Sequence, residues 1–185
     1  MQQTAAPPLL DGRPRYGAVT RALHWAMVLA IVAQFVVGYT MDAGESGRGR
    51  GRGRSGESGR GRGRGGGYDP FGDDRLLTVH VVLGSLILVL AIARVWWRWR
   101  TTLPPWAEGL SKGERTMAHW TERVLYVLMF AIPITGLWLI VADDDDALTP
   151  HVIAHVAFFV VITLHVGLVL KHQLLDRDRL LRRML

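Results

Sequence analysis

The apolar positions of this chain are gathered into four long blocks, and very polar stretches separate them. The blocks run from about Tyr16 to Tyr39, Leu76 to Trp97, Thr116 to Val141 and Pro150 to Leu170. A helix needs about 20 mainly apolar residues to cross the ~30 Å hydrocarbon layer of a bilayer, and each block has that length. In lipid only a helix or a closed barrel satisfies its own backbone hydrogen bonds. The pattern therefore predicts an all-α membrane protein, a bundle of four transmembrane helices. The first block is too long for a signal peptide, lacks a small-residue cleavage site and carries a histidine, so it reads as a retained helix.

The polar stretches set the domain plan. Residues 1–15 form a short N-terminal tail, and 16–185 form one membrane domain. Within it a Gly/Arg-rich segment at about 42–67 contains a ten-residue duplication, GESGRGRGRG, at 44–53 and again at 56–65. Such a tract cannot build a core and is expected to be disordered. It reads either as an electrostatic funnel for an anion, an acidic protein or anionic lipid, or as a solvated linker. The connection from Arg100 to Lys112 contains Pro104, Pro105 and Trp106, with Trp96, Trp97 and Trp99 as a predicted interfacial belt. The third connection is the acidic run Asp143–Asp146, read as a solvated turn and helix entry.

The net charge of +6 invites a nucleic-acid reading, but the arrangement of the arginines opposes it. If both termini share a side, that side holds Arg13, Arg15, Arg21, the cluster from Arg94 to Arg123, and the group from Lys171 to Arg183. The other side holds Arg75 and the seven arginines of the Gly/Arg segment. The majority places both termini in the cytoplasm. The chain has no cysteine, which excludes disulfides, iron–sulfur clusters, thiolate haem ligands and covalent c-type haem.

Ionisable residues inside spanning segments are costly and so point to function. On the predicted topology His24 lies near the cytoplasmic start of the first helix and His80 near the outer start of the second. The fourth helix carries His151 at its outer start and His165 fourteen residues later. That spacing is roughly 21 Å along the axis with about 40° of rotation, so both rings share a face. Two pairs at two depths follow, His80 with His151 and His24 with His165. Each pair suits the iron of a non-covalent b-type haem, which takes one imidazole above and one below; zinc would want more ligands at one point. His155 lies one turn beyond His151 and is the rival for the outer position. His119 reads as an interfacial or propionate-contacting residue.

His172 is seven residues past His165 on the same face, where a quinone head group would meet the inner haem edge. Arg94, fourteen residues after His80, reaches the inner level and suits a haem propionate, a quinone oxygen or a simple positive anchor. Gly38 and Gly84 fall on the same faces, either as room for a porphyrin or as helix-packing positions. Gln34 reads as an interhelical hydrogen-bonding residue.

Taken together these residues resemble the bacterial cytochrome b561 family of four-helix di-haem proteins. The resemblance rests on Tyr16 with ALHW around His24, VHVVLGSLILVL followed by ARVWWRWR, LYVLMFAIPITGL, and ITLHVGLVLKH with the closing DRLLRRML. It covers nearly the whole chain apart from the Gly/Arg segment. It implies two b haems with His24, His80, His151 and His165 as axial ligands, and electron exchange with a quinone such as ubiquinone. His172 matches a recurring histidine of the family. The Gly/Arg insertion and Glu122, where a second polar ring residue is expected after His119, depart from it.

The leading expectation is an inner-membrane electron-transfer protein. It would link an outer-side donor, a small molecule such as superoxide or a protein, to the quinone pool, and with superoxide as the donor it would act as a superoxide oxidase. The rivals are a haem-bearing anchor subunit of a dehydrogenase or hydrogenase, and a haem-free structural bundle. Lipid and quinone are the expected partners, with no nucleic acid.

Overall fold

The computed structural model describes residues 16–48, 74–102, 105, 110–142, 146, 148–176, 181 and 184, with backbone alone over 42–48. Four helices account for nearly all of them: α1 (Ala18–Arg48), α2 (Arg75–Arg100), α3 (Lys112–Ala142) and α4 (Leu148–Leu174). There is no strand among the described residues. All four are long and apolar enough to cross a membrane, α1 over Ala18–Met41.

Each helix outruns its apolar block because the signals that start and stop it lie in the polar flanks. Asp74 caps α2, its side chain accepting from Leu76 N at 3.0 Å and Leu77 N at 3.2 Å. Ser111 and Glu114 form a capping box at α3: Glu114 Oε2 accepts from Ser111 N at 2.9 Å, and Glu114 N donates back to Ser111 Oγ at 3.3 Å. The Gly/Arg segment, expected to leave the helix near residue 42, instead continues α1 to Arg48. A helix already nucleated in the apolar block adds one backbone bond per further residue, so it propagates past the apolar boundary. Residues 49–73, the tail 1–15, Pro104, Trp106 and Asp143–Asp145 lie outside the described residues.

The helices pack in chain order, α1 on α2, α2 on α3 and α3 on α4. The α1–α4 seam is closed by large side chains. Phe35 meets Phe159 at 4.5 Å and Phe158 at 5.7 Å between ring centroids, and Trp25 Nε1 donates to Met184 O at 2.9 Å. That last bond puts the start of α1 beside the end of the chain, at the bundle end that carries both termini. Two apolar clusters fill the interior: Met27, Ala30, Ile87, Ala91 and Met129, and then Leu125, Leu128, Ala154 and Phe158. Leu29, Val89, Val127 and Ile153 point outward and are more than half exposed, a surface suited to lipid. Of the predicted tryptophan belt, Trp96 and Trp99 face out, with Arg100 stacked 4.7 Å over the Trp96 ring. Trp97 turns inward, because successive helical positions are rotated by about 100°, and donates to Thr20 Oγ1 on α1 at 3.1 Å.

Candidate haem-binding site

At the end of the bundle away from the termini, a cavity of about 840 Å³, open mouth included, lies between all four helices. His80, His151 and His155 line it together with Gln34, Gly84 and a majority of apolar side chains. The sequence reading places His80 and His151 at one depth with His155 beside them, and the structure brings all three to one cavity.

His80 and His151 are seated alike. His80 of α2 lies over Gly38 of α1, where a Cβ would stand 3.4 Å from His80 Cε1. His151 of α4 lies over Gly136 of α3, where a Cβ would stand 3.0 Å from His151 Cε1. Each glycine thus admits an imidazole from the neighbouring helix. Gly38 makes room for the ring itself, while Gly84 lines the cavity, where a Cβ would stand 3.6 Å from Gln34 Nε2.

His151 is buried, and its Nδ1 stands 3.0 Å from Ile132 O and 3.0 Å from Thr135 Oγ1. A carbonyl only accepts, so Nδ1 carries the hydrogen, and a neutral imidazole then has its lone pair at Nε2. This is the arrangement by which a metal-binding histidine is usually oriented from behind. His155 is held by ring contacts, 4.4 Å from His151 and 5.7 Å from Phe35 between centroids.

At the termini-bearing end the arrangement differs. Arg94 of α2 donates from NH1 to His24 Nδ1 at 3.0 Å and from Nε to the Tyr126 hydroxyl of α3 at 3.1 Å. Arg94 is therefore at the level of His24, as its spacing from His80 predicts. His24 also meets Trp25 edge to face at 5.5 Å. His165 is half-buried on α4. Arg98 pairs with Glu122 at 3.5 Å, which gives Glu122 a partner on α2.

His172 has no exposed surface. Its Nδ1 is 3.1 Å from Asp176 Oδ2 and its Nε2 is 3.4 Å from Glu114 Oε1. Lys171 Nζ bridges the same two carboxylates, contacting Glu114 Oε1 and, at 3.1 Å, Asp176 Oδ2. Glu114, His172 and Asp176 lie close enough to share a cation, but the lysine ammonium already contacts both carboxylates.

Three contributors escape the sequence reading: Thr135, Gly136 and Tyr126. The first two lie in PITGL on the helix facing His151, where a small residue beside a hydroxyl is a usable signal. Tyr126 carries none beyond a polar tip within an apolar block.

Comparison with known proteins agrees with the geometry. The sequence profile described as prokaryotic cytochrome b561 matches residues 15–185. A protein named cytochrome b562 from Cereibacter sphaeroides is 28% identical over 172 residues, covering 93% of this chain and 96% of that protein. Cytochrome b561 homolog 2 of Escherichia coli (strain K12) is 24% identical over 193 residues, covering 92% of this chain and 91% of that protein. The profile match spans all four helices and every histidine discussed above, so the chain belongs to the prokaryotic cytochrome b561 family and is a membrane protein that binds b-type haem for electron transfer.

Proposed function

We propose that the chain holds two b haems and passes electrons between an outer-side donor and the quinone pool, in a bacterial inner membrane with both termini cytoplasmic. The observation that carries this reading is the bond from His151 Nδ1 to Ile132 O, in a largely apolar cavity that His80 also lines. It leaves Nε2 of a buried ring available as a ligand where a flat apolar macrocycle fits. His80 and His151 would hold the outer haem, and His24 and His165 the inner one. Bound between paired imidazoles, an iron porphyrin supplies a one-electron carrier.

The chain supplies the ligands, their fixed depth and a dry surround. Leu77, Ile87, Met129 and Phe158 line the outer cavity and exclude water from it. At the inner end Arg94 would contact a quinone head group or a haem propionate, and His172 would join it once its ring turns away from Glu114 and Asp176. The arginines of the Gly/Arg segment would attract an anionic donor, superoxide or an acidic protein, toward the outer pair. The second reading, a haem-bearing anchor of a dehydrogenase or hydrogenase, requires a stably co-purifying subunit.

The test is the optical spectrum of the purified chain with haem quantified per polypeptide, followed by mixing of the reduced protein with ubiquinone. Two haems per chain and reoxidation by quinone are expected. A colourless preparation would end the haem reading, and one haem per chain would end the paired one.

A further inference from the structure

His151 and His155 stand one turn apart on α4 and both line the outer cavity, yet among the described residues only the former meets a built receptor on α3. We propose that Ile132, Thr135 and Gly136 form a positioning seat on α3 that selects His151 as the outer ligand and sets how strongly its ring donates to iron. This inference rests on the haem reading above.

Three observations build the seat. The Ile132 carbonyl accepts from Nδ1 and so fixes the hydrogen there. The Thr135 hydroxyl gives its own hydrogen to the backbone, at 2.8 Å from Ala131 O and 2.9 Å from Ile132 O. Its oxygen is thereby left to accept from the same Nδ1–H at 3.0 Å. Gly136 supplies the space: a methyl at that position would stand 3.0 Å from Cε1 and 3.5 Å from Nδ1, pushing the ring off both acceptors. The seat lies in the turn containing Pro133, whose missing N–H already interrupts the backbone ladder of α3.

The chemical consequence has a definite sign. An imidazole whose Nδ1–H is held by two acceptors is more basic at Nε2, and a more basic axial ligand favours the ferric state. The seat therefore holds the outer potential down. Thr135 acts through His151 and does not itself touch iron.

The experiment is a redox titration of the full-length chain with low-temperature electron paramagnetic resonance of the oxidised form, for wild type, Thr135→Val and Thr135→Ser. In Thr135→Val one of the two haem components is expected to titrate at a more positive potential with a shifted low-spin signal, the other staying in place. Thr135→Ser is expected to restore both values. Superimposable titrations for wild type and Thr135→Val, or an equal shift in Thr135→Ser, would overturn the proposal.

Two further measurements do not depend on how the valine variant folds. His155→Ala is expected to keep the outer haem with its wild-type signal, and loss of that haem would transfer the ligand role to His155. In 15N-histidine-labelled wild type, slow exchange with D2O is expected for the Nδ1 proton of the outer ligand, and fast exchange would remove the seat. A wild-type protein with no haem would instead overturn the parent reading and the seat with it, an outcome distinct from all of these.

Discussion

Arg94 donates to Nδ1 of His24 at 3.0 Å, a bond that would have to break if His24 held the proposed inner haem through Nε2. A guanidinium is always charged and only donates, so Nδ1 accepts and a neutral ring keeps its proton at Nε2. If Nε2 bound iron as proposed, this would reverse: Nδ1 would carry the hydrogen and Arg94 would lose its acceptor. The released guanidinium, still tied to Tyr126, would suit a quinone oxygen or a propionate. Arg94→Ala is expected to slow reoxidation of the reduced protein by ubiquinone by about 10-fold or more, the scale of a hydrogen bond from a charged donor at about 1.5–3 kcal/mol. Stopped-flow absorbance follows the rate, and the haem spectrum should stay nearly unchanged. Unaltered kinetics in both Arg94→Ala and His172→Ala would remove the quinone from this end of the bundle.

Ligation by depth makes a second, sharper expectation. His24→Ala or His165→Ala should lose one haem and spare the other, while His80→Ala or His151→Ala should do the reverse. Haem extraction per chain together with the optical spectrum of each variant reads this directly. Loss of both haems in every variant would mean that the two depths are not independent sites.

The four helices were legible because a spanning segment must be apolar along its whole length, so composition alone marks it. Depth was legible for the same reason: once topology is assigned, position along a helix is height in the membrane. Arg94 beside His24 follows from that arithmetic. Azimuth was harder. Trp97 turns inward between two outward tryptophans, and Gly38 receives a histidine ring, where spacing offers room for a porphyrin or a helix-packing position. Such details depend on which helices pair, and the α1–α2 and α3–α4 contacts cannot be read from spacing within one helix. Of the partners of His172, Asp176 is only four residues on, but Glu114 was out of reach. Glu114 is far away in sequence and reads as a helix cap, a role it does fill, while its other oxygen faces Lys171 and His172.

That double use of Glu114 gives a third expectation. One oxygen closes the capping box at Ser111 and the other joins the cluster of Lys171 and His172, so the residue ties the start of α3 to the end of α4. Glu114→Gln keeps an oxygen acceptor and loses the charge, whereas Glu114→Ala loses both. Thermal unfolding in detergent, followed by circular dichroism, should therefore rank wild type above Glu114→Gln and Glu114→Ala lowest. An alanine variant that melts with wild type would show that neither contact holds these helix ends together.

The last expectation concerns the seven arginines of the Gly/Arg segment, Arg48 at the end of α1 and six beyond it, which follow an apolar span and precede His80 and therefore belong to the outer side on the proposed topology. Charges that steer a partner act over distance, and at ~0.1 M salt they are screened beyond about 10 Å. If the segment attracts an anionic donor, the second-order rate of outer-side reduction should fall steeply as ionic strength rises. Deleting residues 49–66 removes six of the seven arginines and leaves α1 whole to Arg48. The deletion should lower the rate at low salt and flatten its dependence on salt, with haem content intact. An inert linker predicts something else: the same rate and the same slope before and after. Finding that second pattern with superoxide and also with an acidic protein donor would leave the arginines without a steering role, because both kinds of anion would have ignored a field that the deletion had largely removed.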